Sequence, residues 1–265
     1  MFSIYQTGGL ALLNALARLG DHKYQEIKFG SAATEKIDWY QVDKKAPTVI
    51  FYYGGNWRSY RKEDYRFVAD TLCGMGVNVA IPDFLKYPER RFNGILKSVV
   101  SATNYFLEKV YTKGPVIIMG HSSGAQMAAL VTLNSALLDT PERITAMVGL
   151  SGPYDFYPFT DHDHWDLFGP ENQYPMSQPV NFVRGDAPEL YLLHGADDTR
   201  VRRGHSKSLM EKQVEAGGRA HREVYQGMGH ADAVVSFSRI HRRKSPLVRD
   251  IQTFIRATIK PDQLH

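Results

Sequence analysis

The residues best suited to chemistry lie in the segment Gly120-His121-Ser122-Ser123-Gly124. An apolar run, 115–119, precedes this segment and an alanine-rich stretch, 125–137, follows it, which predicts a strand, a sharp turn and a helix. A G-x-S-x-G pattern in this setting is typical of a nucleophile elbow, in which the glycines permit close packing and the hydroxyl of Ser122 projects from the turn. The N-terminus of the following helix would direct positive potential towards that hydroxyl.

A serine hydroxyl is a weak nucleophile at neutral pH, so it needs a general base, and the base needs an acid that orients it. His230 is the predicted base because it follows the predicted strand 222–225 through a loop with two glycines. Asp198 is the predicted acid because it lies just beyond the predicted strand 189–193. The order serine, acid, histidine along the chain agrees with a catalytic triad at one edge of a parallel sheet.

Each of these assignments has an alternative. Asp197 adjoins Asp198 and could be the acid, although a role in a turn or a cap suits it better. The other histidines that could replace His230 as the base are His205, His221 and His241. We expect His121 to be a packing or supporting residue, and we expect His194, at the end of a predicted strand, to be structural.

The negative charge that develops on a substrate carbonyl needs hydrogen-bond donors. One predicted donor is the backbone N–H of Ser123, the residue after the nucleophile. The other predicted donors are the backbone N–H groups of Gly55 and Asn56, in the loop after the predicted strand 47–53. The pair Gly54-Gly55 would let this backbone approach a carbonyl without an intervening Cβ, and an ordinary tight turn is the alternative interpretation.

Strand-like runs and segments of helical periodicity follow one another along the chain, which predicts an α/β fold with a mostly parallel eight-stranded sheet and helices on both faces. The predicted strands are 24–29, 35–42, 47–53, 77–81, 116–119, 144–150, 189–193 and 222–225, and the first two are expected to form a hairpin at a sheet edge. The predicted helices are 63–75, 93–111, 201–216 and one that starts at Ser245-Pro246. With 265 residues, the chain fits a single domain, 1–265.

The long segment 153–188 is rich in proline, aromatic residues, aspartate and histidine, and we expect it to be a short cap loop over the site. The residues predicted to line a substrate pocket are Trp57, Phe156, Trp165 and Phe168, with core packing as the alternative. His162 and His164, if they lie on one face of an extended chain, could bind a metal ion, but no further ligands have a suitable spacing. We expect no metal and no other cofactor, because a serine triad needs none.

Composition restricts the kinds of partner. The net charge is +4, and we interpret the basic clusters at 200–203 and 241–244 as solvated loops and not as a nucleic-acid site. The single cysteine, Cys73, cannot form an intrachain disulfide and is expected to be buried in a helix. Residues 1–21 are interpreted as an amphipathic segment and not as a signal peptide, and no run is long enough to span a membrane. We expect a cytoplasmic protein, or an exported one if a leader was removed, and a homodimer is left open.

Taken together, these motifs resemble the α/β-hydrolase superfamily, close to the carboxylesterase and bacterial feruloyl-esterase-like (BD-FAE) group, which is similar to hormone-sensitive-lipase-type esterases and kynurenine formamidases. The matching segments are 53–57, 83–89, 120–124, 151–155, His194-Gly195 with Asp198, and Gly229-His230. The resemblance implies a Ser122–Asp198–His230 triad. The chain departs from the His-Gly-Gly-Gly pattern of hormone-sensitive lipases, because Tyr53 replaces the histidine and Asn56 replaces the last glycine.

The resemblance implies hydrolysis of an ester or a similar acyl bond through a covalent acyl-enzyme. We expect a serine carboxylesterase that acts on small or short-acyl ester molecules, because the cap is short and contains several charged residues. One alternative is an amide or formamide hydrolase with the same triad, as in kynurenine formamidases. Another alternative is a hydrolase fold that only binds a ligand.

Overall fold

The structure, a computed structural model, describes residues 4–110 and 112–259 and contains one eight-stranded sheet. Its strands are β1 (Gln25–Lys28), β2 (Lys36–Tyr40), β3 (Thr48–Tyr52), β4 (Asn78–Pro82), β5 (Val116–His121), β6 (Ile144–Leu150), β7 (Glu189–Gly195) and β8 (Ala220–Tyr225). Their order across the sheet is β1-β2-β4-β3-β5-β6-β7-β8. Strand β2 pairs antiparallel with β1 and β4, and the pairs from β4 to β8 are parallel. The predicted mostly parallel α/β sheet and its edge hairpin are confirmed.

Helices lie before, between and after the strands. They are α1 (Ile4–Ala17), α2 (Arg66–Cys73), α3 (Phe92–Lys109), α4 (Ser123–Leu133), α5 (His162–Leu167), α6 (Gly204–Glu215), α7 (Asp232–Val235) and α8 (Pro246–Ala257). Helix α4 contacts β3, β5 and β6, whereas α6 contacts β7 and β8, and α2 contacts β4. No helix among the described residues has the length and apolar character needed to cross a membrane.

The packing of the core explains why the sequences of the central strands are continuous runs of apolar residues. Strands β3, β4 and β5 are buried along their whole length, as expected for strands that are covered on both faces. The edge strand β1 is mostly exposed. Cys73 is buried at the end of α2, as predicted, and its burial raises the pKa of the thiol to about 12.

Several predicted elements have different limits in the structure. The predicted helix 63–75 is a 3-10 turn, Lys62–Tyr65, followed by the shorter helix α2. The predicted start of the helix 201–216 was wrong, because the N–H of Val201 bonds the side chain of Asp198 and α6 begins only at Gly204. Strand β7 extends to Gly195, which pairs with β8. The helix predicted over 93–111 ends at Lys109, and residue 111 lies outside the described residues.

Segment 153–188 is more regular than the predicted loop. It contains α5 and two 3-10 helices, Glu171–Ser177 and Pro179–Phe182. The extended chain assumed for the metal-binding alternative was wrong, because His162 and His164 lie two positions apart on a helix and so project to different faces. Within the part of the chain that is described, no group of three or more His, Cys, Asp or Glu side chains could hold a metal ion.

The N-terminal segment 1–21 largely forms helix α1, although residues 1–3 lie outside the described part of the chain. Leu13 and Ala17 are buried, whereas Leu12 is exposed. The side chain of Asn14, also buried, bonds the carbonyl of Asp64 at 2.7 Å. The helix is therefore fastened to the body of the fold through one face.

Candidate active site

Ser122 lies at the turn between β5 and α4 in a conformation that few residues with side chains adopt. Its φ is 55° and its ψ is −127°. Its N–H donates to the carbonyl of Leu150 at 2.9 Å, and its carbonyl accepts a hydrogen bond from Ala125 at 2.9 Å. These bonds to β6 and α4 hold the strained residue in place and leave its hydroxyl to other partners.

The two glycines of the elbow are required by close packing. A Cβ on Gly124 would lie 2.1 Å from the carbonyl oxygen of Tyr52, and a Cβ on Gly120 would lie 2.3 Å from that of Gly124. No real Cβ tolerates such contacts with backbone atoms. Strand β3, strand β5 and helix α4 therefore meet here only because both positions lack side chains, which confirms the packing inferred from the sequence.

The loops after β7 and β8 bring Asp198 and His230 to the elbow. The hydroxyl Oγ of Ser122 lies 2.9 Å from Nε2 of His230, although the two residues are 108 positions apart. Nδ1 of His230 lies 2.7 Å from Oδ2 of Asp198. Because the parallel strands β5, β7 and β8 end at the same edge of the sheet, their following loops converge. The structure therefore brings together the three residues that the sequence selected.

The alternative acid and bases lie elsewhere. The side chain of Asp197 is exposed, and its N–H bonds the carbonyl of Met228 at 3.0 Å. The partners of the alternative histidines are the carbonyl of Asp155 for His205, the carboxylate of Glu189 for His221, and the hydroxyl of Ser238 for His241. None of these contacts involves Ser122.

The carboxylate of Asp198 is fully buried and surrounded by donors. Its Oδ1 accepts hydrogen bonds from the N–H groups of Arg200 and Val201, each at 2.9 Å. Burial raises the pKa of Asp198, but hydrogen bonds from His194, His230 and Val201 outweigh that effect and hold the pKa below its usual range. Asp198 is therefore an anion at neutral pH, so Nδ1 of His230 carries the hydrogen and Nε2 presents a lone pair to Ser122.

Two further histidines adjoin this group. His121 is buried and its ring centroid lies 5.0 Å from that of His230, as suits the expected packing role. His194 is also buried, but its Nε2 lies 3.3 Å from Oδ2 of Asp198, a contact that the sequence reasoning missed. The available signal was the spacing His-Gly-x-x-Asp, which places a histidine at the strand end four residues before the acid.

The loop after β3 passes directly beside the elbow. A Cβ on Gly54 would lie 2.9 Å from the Cβ of Ser122. The next residues have positive φ, namely 139° at Gly55, 54° at Asn56 and 58° at Trp57, so the backbone bends sharply. Among residues 4–110 and 112–259, no acceptor bonds the N–H of Gly55 or of Asn56. These two N–H groups are therefore available to a ligand near Ser122.

The third predicted donor lies on the other side of the elbow. Ser123 is the first residue of α4, so its N–H has no partner within the helix. Its hydroxyl lies 3.4 Å from the N–H of Trp57, which joins the two walls of the site. Tyr53 occupies the position of the histidine in the lipase pattern. Its phenol O–H donates a hydrogen bond to the carboxylate of the buried Asp83. This bond fastens the start of the loop after β3, residues 53–57, which we call the donor loop.

Gln126 links the donor loop to segment 153–188. Nε1 of Trp57 donates to Oε1 of Gln126 at 2.9 Å, and Nε2 of Gln126 donates to the carbonyl of Ser177 at 2.7 Å. Gln126 is fully buried on α4. Both bonds are consequently shielded from water, and a buried amide holds the loop and the segment in a fixed relation.

Helix α5 also contacts the donor loop at the surface. Arg58 forms an ion pair with Asp163 at 2.8 Å. His164 lies 3.3 Å from the side-chain carbonyl of Asn56, and burial lowers the pKa of this histidine. Segment 153–188 therefore lies directly against the candidate site.

The four aromatic residues predicted to line a pocket separate into two groups. Trp57, Phe156 and Phe168 pack together, with ring centroids 5.0 Å apart for Trp57 and Phe168 and 5.2 Å apart for Phe156 and Phe168. Trp165 instead packs on Phe159 at 5.2 Å and is 40% exposed. The structure thus brings three of the four residues together beside the donor loop and leaves Trp165 on the outer side.

Comparison with known proteins identifies the family to which this chain belongs. Residues 39–213, more than half of the chain, match the BD-FAE family. The chain is 24% identical over 264 residues to the probable isoprenylcysteine alpha-carbonyl methylesterase of Oryza sativa subsp. japonica, which covers 88% of this chain and 64% of that protein. It is 25% identical over 146 residues to the kynurenine formamidase of Danio rerio, which covers 54% of this chain and 50% of that protein. The chain thus spans less than two thirds of either relative.

The fold has a close counterpart among solved structures. The crystal structure of a thermophilic and thermostable carboxylesterase cloned from a metagenomic library superposes with a TM-score of 0.79 and covers 96% of each chain. The sequence identity is 15%, so this likeness concerns the fold alone. From the family match and the observed sheet, we conclude that the chain belongs to the BD-FAE family and has the α/β-hydrolase fold.

Proposed function

We propose that the protein is a serine carboxylesterase that cleaves small carboxylic esters through a covalent acyl-enzyme. The observation that carries this proposal is the continuous chain from Ser122 through His230 to Asp198, with contacts of 2.9 Å and 2.7 Å that end on a fully buried carboxylate. This arrangement supplies a nucleophile, a general base and an orienting anion in the required order.

The reaction begins when Nε2 of His230 takes the hydroxyl proton of Ser122 as Oγ attacks the ester carbonyl carbon. Asp198 stabilises the resulting imidazolium. The tetrahedral intermediate collapses when the bond to the alcohol oxygen breaks and His230 returns its proton to that oxygen. Water then gives a proton to His230 and attacks the acyl carbon, and the acid leaves as Ser122 recovers its proton.

The oxyanion of both tetrahedral intermediates is stabilised by the N–H groups of Gly55, Asn56 and Ser123. Support comes from their placement on two sides of Ser122 and from the lack of an acceptor for the first two among the described residues. Donors that are fixed before the reaction need no reorganisation when charge develops. Each such donor is worth about 10²- to 10³-fold in kcat.

A small acyl group agrees with the packing near the donor loop. Phe168 is fully buried and Trp57 nearly so, and their rings already contact Phe156. These rings would form an apolar wall for a short acyl chain or a compact alcohol, with Trp165 at the outer rim. We therefore propose that the triad acts on a small ester.

The second candidate is hydrolysis of an amide or formamide, which uses the same nucleophile and base. The relative named kynurenine formamidase favours this candidate. Purified protein assayed on p-nitrophenyl acetate, p-nitrophenyl esters of longer acids, aromatic esters and N-formylkynurenine would separate the two. The esterase proposal requires the highest kcat/KM on an ester, whereas a higher value on the N-formyl compound would favour the formamidase.

The decisive variant is Ser122→Ala, with Ser101→Ala, an exposed serine on α3, as the control. Ser122→Ala is expected to lose p-nitrophenyl acetate turnover and labelling by a fluorophosphonate probe, whereas the control keeps both. Turnover that survives in the folded Ser122→Ala protein would refute the assignment. Wild-type protein that is folded but neither turns over esters nor reacts with the probe would indicate a ligand-binding module.

A further inference from the structure

We propose that His194 is a positioning residue for the triad, because it ends a hydrogen-bonded chain that starts at Arg222 and its Nε2 lies against the carboxylate of Asp198 at 3.3 Å. The inference rests on the proposed role of Asp198 as the triad acid. It assigns a function to a histidine whose place at the end of β7 suggests only a structural role.

The chain crosses from β8 through α6 to the end of β7. Nε of Arg222 donates to Oγ of Ser206 at 2.9 Å, and this hydroxyl lies 3.1 Å from Nδ1 of His194. On the other side of the ring, Nε2 of His194 lies 2.9 Å from the carbonyl of Val201 and 3.3 Å from Oδ2 of Asp198. The side chains of His194 and Asp198 are fully buried, so water does not compete for these bonds.

The direction of each bond follows from the chemistry of the partners. Nε2 of His194 faces a carbonyl oxygen and a carboxylate oxygen, and since both only accept, Nε2 carries a hydrogen. In the neutral ring, Nδ1 then accepts, and the hydroxyl of Ser206 is the donor within reach. That hydroxyl in turn receives the Nε hydrogen of Arg222, which only donates. The carbonyl of Arg203, 3.1 Å from Oγ of Ser206, is the competing acceptor for its hydrogen.

Two histidines therefore share one oxygen of Asp198. His230 lies 2.7 Å from Oδ2 and His194 lies 3.3 Å from it, while Oδ1 is held by two backbone N–H groups. The two donors at Oδ1 do not by themselves prevent rotation of the carboxylate about its Cβ–Cγ bond. His194, which lies against Oδ2, restricts this rotation. The carboxylate plane is thereby set so that Oδ2 faces Nδ1 of His230 before substrate binds.

His194 also reduces the negative charge that Oδ2 presents to His230. The N–H of His194 is hydrogen-bonded to the carbonyl of Val201, but its positive end also lies close to Oδ2 and stabilises the negative charge there. An oxygen stabilised in this way attracts the proton of His230 less strongly. Without His194, the protonated form of His230 would be more stable in the free enzyme. The base would then become active only at higher pH, which is an effect that a purely structural histidine would not produce.

Other ionisable groups also surround His230 and must be held constant in the test. His121 contacts its ring and its backbone carbonyl, and Asp232 accepts the N–H of Gly229 at 2.7 Å. Arg200 acts electrostatically on His121. No described contact joins His121 or Asp232 to the ring of His194, so substitutions at position 194 leave these two groups in place.

The test compares His194→Leu with His194→Gln, since the glutamine amide can place an N–H near the position of Nε2 and leucine cannot. For each variant we would measure kcat and KM on p-nitrophenyl acetate, the pH profile of kcat/KM, and the rate of fluorophosphonate labelling. We expect His194→Leu to lower kcat by about 10- to 100-fold, the range seen when an outer partner that orients a metal ligand is lost. KM should change by less than about threefold, and the acidic limb of the profile should move to higher pH.

His194→Gln is expected to recover most of the lost kcat and to return the acidic limb towards its original position. Ser206→Ala, which breaks the chain without touching Asp198, should lower kcat in the same direction by a smaller factor. Ile251→Val, a buried substitution on α8, is the control for a modest loss of stability. Ile251→Val should leave the pH profile of kcat/KM unchanged.

The inference is wrong if His194→Leu has the same kcat and the same pH profile as Ile251→Val. It is also wrong if the kcat of His194→Gln is as low as that of His194→Leu. If His194→Leu does not fold, Ser206→Ala decides the question through the same pH profile. Unchanged His194 variants alongside an inactive Ser122→Ala would overturn this inference alone. A Ser122→Ala enzyme that retains turnover would overturn the proposed function itself.

Discussion

The ring of His121 bonds the backbone of His230, so the residue that precedes the serine also holds the loop that carries the histidine. Nε2 of His121 lies 3.1 Å from the carbonyl oxygen of His230. Since a carbonyl only accepts, Nε2 is the donor and the neutral ring leaves Nδ1 unprotonated. His121 is 6% exposed, and burial lowers its pKa to about 3. The ring therefore stays neutral over the range in which an esterase works.

This buried histidine should make the folded state sensitive to acid. An unfolded histidine titrates near pH 6.5, whereas folded His121 stays neutral down to about pH 3. Between these values the unfolded chain binds the extra proton, so stability falls as the pH decreases. The contribution of His121 to this fall is about 2 kcal/mol at pH 5. Urea unfolding of wild type and His121→Gln at pH 7.5 and pH 5 measures it.

The glutamine variant should show a smaller loss between the two pH values than wild type, even if it is less stable at both. The exposed His221, on β8, provides the control, because His221→Gln leaves the buried ring untouched. Equal losses in wild type and His121→Gln would show that His121 is not held neutral in the folded protein.

Removal of the charge at Asp198 should distinguish its role from that of Asp197. Asp198→Asn is expected to lower kcat on p-nitrophenyl acetate by about 10⁴-fold, because an amide can donate to Nδ1 of His230 and favour the wrong tautomer. Asp197→Asn changes an exposed side chain and should stay within about threefold of wild type. If Asp197→Asn is the more damaging change, the assignment of the acid is reversed.

The donor loop should tolerate no side chain at Gly55. Gly55 has φ 139°, and a Cβ there would lie 2.3 Å from the carbonyl oxygen of Ser59. Gly55→Ala must therefore shift the loop, and kcat should fall by about 10²-fold or more as a donor moves away from the oxyanion. Steady-state kinetics together with urea unfolding would show both the loss of activity and the loss of stability.

Gly76→Ala is the matched control for backbone strain. Gly76 also has positive φ, 82°, but a Cβ there meets nothing within 4 Å. Its replacement should cost about 1–2 kcal/mol of stability and leave kcat unchanged. A Gly55→Ala enzyme that behaves like Gly76→Ala would remove the loop from the oxyanion site.

Gln126 should affect activity as well as stability. Gln126→Met leaves Nε1 of Trp57 and the carbonyl of Ser177 without their partner in a buried region, which should cost about 2–4 kcal/mol. Because Trp57 follows the predicted donors, kcat/KM should also fall. Urea unfolding and kinetics on p-nitrophenyl esters of increasing acyl length would measure both effects.

A second buried glutamine separates these effects. Gln213 on α6 bonds the carbonyl of Arg184 at 2.8 Å and has no contact with Trp57. Gln213→Met should lose stability and keep the wild-type kcat/KM at a temperature where both variants are folded. Equal activity in the two variants would indicate that the contact between Gln126 and Trp57 does not support the site.

Local signals in the sequence predicted much of this molecule. The start of the last helix is an example, because Ser245 caps α8 through the N–H of Val248 and Pro246 occupies its first turn. The elbow is another, since glycines on both sides of a serine are needed wherever a strand, a turn and a helix pack this closely. Such features depend on neighbours in the sequence, so the sequence reveals them.

The candidate triad was partly predictable for a different reason. The chain order of serine, acid and histidine, and their places after predicted strands, selected Ser122, Asp198 and His230. Parallel strands bring their following loops to one edge, so that topology makes the three residues converge. The limits of α6 were not predictable, because the side chain of Asp198 captures the N–H of Val201 and delays the helix.

The sequence by itself determined the order of the strands and helices and the chemical types at the sheet edge. Only the tertiary structure decided which side chains meet across long separations. His194 lies against Asp198, Gln126 joins Trp57 to Ser177, and Trp165 packs on Phe159. The physical reason is that periodicity and caps are encoded within a few residues, whereas buried polar partners are chosen by the packing of whole elements.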